Sequence, residues 1–185
     1  MIVTTIRDHV LQACRRSENI FGTSFFDEHL VPVAHRAAQL ASQLNADPEI
    51  VALAAWLHDL SAVVDSTTIP DHARLSAEMA ARILIEHGYP PARAELVSAA
   101  IAPHPNPIDL GAASPEAVCI ASADALSRLD RPAYWLYFAF AVRNLPFAEG
   151  RQWLRTLIER QWPLLVAPAR DLASDQYAHV IGLLT

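Results

Sequence analysis

Two titratable residues, His58 and Asp59, stand side by side at the end of an apolar run that begins at Val51. An ionised carboxylate set in such a run is costly unless it is paired or bound to a cation. A metal ion meets that need, because neutral imidazole and carboxylate both bind divalent cations of borderline and hard character. Asp59 has two carboxylate oxygens, which makes it the natural bridge between two ions. His58 lies about 100° from it around a helix, so both side chains can converge at one edge. Two further candidates flank the pair: His29 in the stretch Asp27-Glu28-His29-Leu30, and Asp124 in Ala121-Ser122-Ala123-Asp124-Ala125-Leu126. Such a set holds one or two divalent ions and leaves a coordination position open. Water or a substrate oxygen binds there, and the pKa of the water falls.

These residues must be carried by helices. Ile6, Val10, Leu11 and Cys14 recur at helical spacing, and so do Val33, Ala37, Leu40, Ala41 and Leu44. Pro32 belongs in the first turn of that second helix, where a missing N–H is harmless. Pro48-Glu49-Ile50 starts a third helix with Asp47 as its N-cap. Leu75, Met79, Ile83 and Leu84 mark a fourth, closed by Gly88. Pro90-Pro91 and Ser114-Pro115 open the next two, and later helices follow Arg131-Pro132, Leu145-Pro146 and Ala167-Pro168. Prolines fall mostly between the periodic runs, and strand-like alternation is scarce. Pro103 to Ser114 is the longest irregular stretch. There is no internal repeat or linker.

On those residues the chain resembles the HD-domain superfamily of metal-dependent phosphohydrolases. The resemblance runs from about Asp27 to about Asp130. Beyond the His…His-Asp…Asp order, Asp71-His72-Ala73-Arg74 matches the family's next histidine-bearing helix start. Ala100-Ile101-Ala102-Pro103-His104 matches its fifth element. Ser122-Ala123-Asp124-Ala125-Leu126 matches its Asp-Ala-Asp-x-Leu ending, with Ser122 in place of the first Asp. The resemblance implies an all-α fold, a compact HD-type bundle of about eight to nine helices. It implies that His29, His58, Asp59 and Asp124 hold a first ion, and that His72 and His104 serve a second across Asp59. It implies a hydrolase acting on a small phosphate ester or nucleotide through metal-activated hydroxide, with one or two ions drawn from iron, manganese, cobalt, nickel, zinc or magnesium. The same six-ligand pattern also serves some di-iron oxygenases, and a metal-stabilised binding module without turnover is a third reading. The family's basic residue after the His-Asp pair is missing: Leu60-Ser61-Ala62-Val63 stands there. Arg128, one turn from Asp124 on the same face, is the expected phosphate-directing residue. Arg74 and Arg131 are the runners-up.

Composition bounds the rest. At 185 residues, 52% of them apolar, the chain has the size of one domain with one core. The motif-bearing core is expected over about residues 24–130, with helices of residues 131–185 packing on it. Net charge is −6 and all 14 basic residues are arginine. The absence of lysine excludes Schiff-base chemistry, and the acidic balance argues against a nucleic-acid partner. The expected partner is a small phosphorylated molecule, with a homodimer left open. Cys14 and Cys119 are too few for a disulfide framework. The first residues lack the pattern of a signal peptide, and the apolar aromatic stretch from Ala133 to Val142 falls short of the roughly 20 residues that span a bilayer. A cytoplasmic protein is the expectation. His35, about 240° from His29 on one helix, is expected to face away from the site, and His9, His87 and His179 lie outside the motifs. Tyr134, Trp135, Tyr137, Phe138 and Phe140 are expected in the core, with a pocket roof as the alternative.

Overall fold

Asp47 sets the start of the helix that carries the His-Asp pair. In the computed structural model, its side chain accepts from the backbone N–H groups of Glu49 and Ile50 at 2.9 and 3.2 Å. Pro48 fills the first helical position, where no N–H is needed. The helix, α3, runs Pro48–Leu57. From Ile50 to Leu57 every residue except Ala52 is buried. A helix apolar all round is a central one, and its neighbours bear this out. The structure describes residues 1–104 and 112–185; among them there is no strand. The irregular stretch expected at Pro103–Ser114 lies mostly outside the described residues.

Around α3 pack α1 (Ile2–Cys14), α2 (Val31–Leu44), α5 (His72–Glu86), α6 (Pro91–Ile101) and α7 (Pro115–Asp130). α2 lies along α7, and α5 along α6. Caps and breakers explain the boundaries. Asn45, at φ 53°, turns the chain after α2, and Gly88, at φ 76°, does so after α5. Ser114 accepts from the backbone N–H of Ala117 at 3.2 Å and so starts α7. The core runs through Phe25, Phe26, Leu40, Leu53, Leu57, Leu84, Ile101 and Ile120, each almost or completely buried.

Short segments supplement the periodic helices. Phe26–Leu30 forms one wide π-type turn before α2. Pro32 cannot donate to the carbonyl four residues back, so the regular ladder is interrupted where His29 sits. α4 (Leu60–Val64) and a tight turn over Ser66–Asp71 link the His-Asp pair to α5.

The C-terminal elements are α8 (Pro132–Tyr137), α9 (Phe147–Gln161), α10 (Ala167–Asp171) and α11 (Ser174–Leu183). α9 packs on α7 and α8. A Cβ at Gly150 would come within 2.3 Å of the Phe140 ring, so α9 needs glycine there to lie so close. The buried Arg36 guanidinium ties α2 to the end of α7 and to α11. It donates to both oxygens of Asp130 at 2.9 and 2.6 Å and to Gln176 at 2.6 Å. No helix among the described residues is long and apolar enough to cross a membrane.

Candidate metal centre

His58 ends α3 and Asp59 opens α4, so the break between the two helices puts both side chains at one point. There Asp59 faces two groups of imidazoles. Its Oδ2 lies 3.1 Å from His29 Nε2 and 3.4 Å from His58 Nε2. Its Oδ1 lies 3.4 Å from His72 Nε2 and 3.5 Å from His104 Nε2. Asp124 joins the first group, with Oδ1 3.6 Å from His29 Nε2. The structure thus brings all six residues named from the motif around one carboxylate. Among the described residues, two sets have ligand atoms mutually within 4.8 Å: His29, His58 and Asp59, and Asp59, His72 and His104.

The other ring nitrogens fix the tautomers. Nδ1 of His58, His72 and His104 faces the carbonyl oxygen three residues earlier, at 2.9, 2.7 and 2.6 Å. A carbonyl only accepts, so each Nδ1 carries the hydrogen and each neutral ring turns its Nε2 lone pair to the centre. His29 reaches the same state through Ser127. The Ser127 hydroxyl donates to the Asp124 carbonyl at 2.7 Å, which leaves its oxygen to accept from His29 Nδ1 at 3.1 Å. Imidazole ligands of metals are held in this way by a partner behind the ring. The Nε2 atoms of His29 and His58 are 3.2 Å apart, and His104 Nε2 is buried without a hydrogen-bond partner. Lone pairs and carboxylate oxygens facing one another require cations between them, so the donor set fits divalent ions.

Without a metal, protons take that role in part. Burial opposes charge on His58, but Asp59 and Asp124 beside it prevail and lift its imidazole to about 9. Burial dominates at His29 and lowers it, only partly offset by Asp59 and Asp124. Burial also resists ionisation of Asp59, yet the charge on His58 and the His104 and His29 imidazoles beside it hold it well below the usual carboxylate range. Asp124 is likewise buried, and Arg128, His29 and His58 keep it ionised.

A cavity of about 140 Å³ adjoins the cluster. Its polar side is Asp59, His72, Asp124 and Arg128, and its apolar side is Phe21, Ala62, Ile69 and Trp135. Arg128 is buried, with Nη1 at 2.6 Å from the Asp124 carbonyl and 3.1 Å from its Oδ1. The two runners-up lie elsewhere in ion pairs: Arg74 is exposed with Asp71 and Glu78, and Arg131 is paired with Glu28. His35, His9, His87 and His179 are exposed outside the cluster. Trp135 lines the cavity, whereas Tyr134 and Phe138 are core and Tyr137 is exposed.

Sequence reasoning missed the supporting residues. Ser127 anchors His29. Ser61 lies in the stretch Leu60–Val63 that lacks the family's basic residue; its hydroxyl donates to the His72 carbonyl at 3.1 Å, and its backbone N–H donates to Ser76 Oγ at 3.1 Å. A serine three residues after Asp124 was the available signal for the first, since i, i+3 residues share a face. Ser127→Ala is expected to weaken metal binding about tenfold to a hundredfold. Competition with a chromophoric chelator measures this, and an unchanged affinity would remove the anchoring role.

Comparison with known proteins agrees with this geometry. Residues 26–129 match the family model of the HD domain. Over 100 residues the chain is 38% identical to Ribonuclease Y of Petrotoga mobilis and 36% identical to Ribonuclease Y of Acidothermus cellulolyticus. Those stretches cover 54% of this chain but 17% and 18% of the two relatives. The crystal structure of an HD superfamily hydrolase from an uncultured Thermotogales bacterium aligns over 98% of this chain and 88% of its own, with a TM-score of 0.65 and 24% identity. That likeness shows the fold. The family match covers more than half the sequence and contains five of the six clustered residues in an all-α fold, His72 and Asp124 within helices and His58, Asp59 and His104 just beyond helix ends.

 The sixth, His29 in the wide turn before α2, lies inside the same range. The chain belongs to the HD domain family.

Proposed function

We propose that the chain is a divalent-metal-dependent phosphohydrolase whose substrate is a small phosphate ester or nucleotide. The observation that carries this is the Asp59 carboxylate, with one oxygen facing His29 and His58 and the other facing His72 and His104, beside a cavity that Arg128 lines. His29, His58, Asp59 and Asp124 would hold one ion, and His72 and His104 would share a second with Asp59. Bound there, divalent ions supply Lewis acidity at a phosphoryl oxygen and lower the pKa of water. The name of the two relatives, Ribonuclease Y, supports phosphoester cleavage as the class of reaction.

The chain's own residues orient and neutralise. Asp59 and Asp124 stay ionised and fix the imidazoles around them. Arg128 brings a buried positive charge to the cavity wall, where negative charge develops as a phosphoryl group reacts. Phe21, Ala62, Ile69 and Trp135 make the other side apolar. A cavity of about 140 Å³ has room for a phosphoryl group, and the organic part of a nucleotide would extend beyond it. A net charge of −6 without lysine favours a small substrate over a long polyanion.

The test is a panel of phosphate monoesters, nucleotides and a short oligoribonucleotide, assayed anaerobically with Mn²⁺, Co²⁺ or Mg²⁺. Phosphate release from the small esters is the expected result. Cleavage of the oligoribonucleotide alone would move the substrate to RNA. No release from any of them, with oxygen consumption by the reduced iron form, would hand the site to oxygenase chemistry. Arg128→Ala is expected to lower kcat/KM for a phosphorylated substrate by a loss of about 1.5–3 kcal/mol while sparing metal content. Equal kcat/KM in the variant would take Arg128 out of the site.

A further inference from the structure

Five buried side-chain polar atoms among the described residues have no hydrogen-bond partner, and three of them belong to residues at this centre. One is His104 Nε2, which the metal reading absorbs. The other two are both donors: Arg128 Nε and Trp135 Nε1. The two side chains are joined, with the Arg128 guanidinium carbon 5.1 Å from the centroid of the Trp135 ring. Both residues line the small cavity, and each is less than a tenth exposed. Trp135 also stands edge-on to His29, with centroids 5.2 Å apart and planes at 86°, so its ring is held at the cluster from two sides.

Buried N–H groups without acceptors are rare in folded proteins, and each one asks for an explanation. Here two such donors belong to neighbouring residues that line one cavity, next to a cluster that draws anionic oxygen. Resting on the phosphohydrolase reading, we infer that Trp135 is a second substrate-binding residue. Its indole N–H and the Nε–H of Arg128 hold non-bridging oxygens of the phosphoryl group. The division of labour is physical. Arg128 brings charge, and its Nη1 stays committed to Asp124. The indole brings a neutral, rigid donor whose ring also shields the guanidinium from water. Indole and guanidinium are both donor-only, so this pair of side chains suits an oxyanion and itself offers no acceptor.

The experiment uses the Mn²⁺-loaded full chain and inorganic phosphate, titrated by calorimetry. Trp135→Phe keeps an aromatic ring beside Arg128 and removes only the N–H. Its phosphate Kd is expected to rise at least about tenfold, as for the loss of a hydrogen bond to a charged group, with metal stoichiometry unchanged. Trp153→Phe is the packing control. Trp153 lies 6.5 Å from Trp135, centroid to centroid, and does not line the cavity, so its phosphate Kd should match the wild type. Equal phosphate affinity in Trp135→Phe and wild type would overturn the inference and leave the phosphohydrolase reading intact. A parallel loss in Trp153→Phe would reassign the effect to packing and overturn it equally. Wild-type protein that binds no phosphate would remove the subsite, and ester turnover would then decide the wider reading by itself. Should Trp135→Phe fail to fold, Arg128→Met, which removes the other donor and keeps the length of the side chain, gives the same readout: an unchanged phosphate Kd there overturns the paired-donor site.

Discussion

Asp59→Ala is expected to abolish ester hydrolysis and to empty the centre of metal while the helices persist. Each Asp59 oxygen faces a different pair of imidazoles, and among the described residues no other single side chain serves both halves of the cluster. Losing it removes the bridge and one of two carboxylate charges. Loss of activated water and Lewis acidity together should lower the rate by at least about a thousandfold. The fold should tolerate the change. Asp59 stands before α4 without capping it through its side chain, and the packing of α3 rests on apolar residues. Phosphate release, elemental analysis and far-ultraviolet circular dichroism on one preparation check all three statements. A variant that keeps its metal and more than a tenth of the rate would contradict the bridging role.

Metal affinity is expected to rise steeply with pH. In the metal-free protein His58 titrates at about 9, because Asp59 and Asp124 outweigh the burial that opposes its charge. A metal must displace that proton before it can use Nε2. Below about pH 9, each unit therefore costs about tenfold in apparent affinity, roughly a hundredfold between pH 8 and pH 6. About one proton per chain should be released on loading near neutral pH. His29 is lowered by burial and already neutral, so it adds none. The sign reverses for the stability of the metal-free chain. The His58 contribution is complete below the ordinary value of 6.5 and is lost as pH rises through about 9. Chelator competition across the pH range and titration in weakly buffered solution check these expectations. An affinity flat from about pH 6 to about pH 8 would contradict them.

The helix starts were legible because their signals are local. Asp47-Pro48, Pro90-Pro91 and Ser114-Pro115 each combine a capping or extended residue with a proline that needs no hydrogen bond. α4 and the tight turn over Ser66–Asp71 were not anticipated, since five or six residues are too few to display a helical period. The wide turn at Phe26–Leu30 escaped for another reason: its cause is the missing N–H of Pro32, a backbone effect that the apolar pattern does not register. At the centre, the apolar run before His58-Asp59 marked the pair, because burial of a carboxylate needs an explanation that the sequence itself poses. The pairing of Arg74 with Asp71 and Glu78 was also present at helical spacing. What the sequence withheld was orientation. Ser127 behind His29 joins residues 98 positions apart, and the stacking of Trp135 on Arg128 depends on how α8 leaves α7. Such contacts follow from packing, which no local pattern encodes.

The carbonyls that hold the imidazoles have a second role. Ala55 lies in the last turn of α3 and Ile101 ends α6, where carbonyls run out of helical N–H partners; the Ile101 carbonyl also accepts from the backbone N–H of His104 at 3.1 Å. His58 and His104 satisfy them through Nδ1, so each ring is a helix cap as well as a ligand. Both helices also point the negative end of their dipoles toward the cluster, where a cation is favoured. Fraying of either helix end would let its imidazole swing away, and a bound ion would resist that fraying. Occupancy of the centre and closure of two helix termini are therefore one coupled equilibrium. By mass action, ion concentrations about a thousandfold above Kd would add about 4 kcal/mol to the folded state, felt first at the ends of α3 and α6.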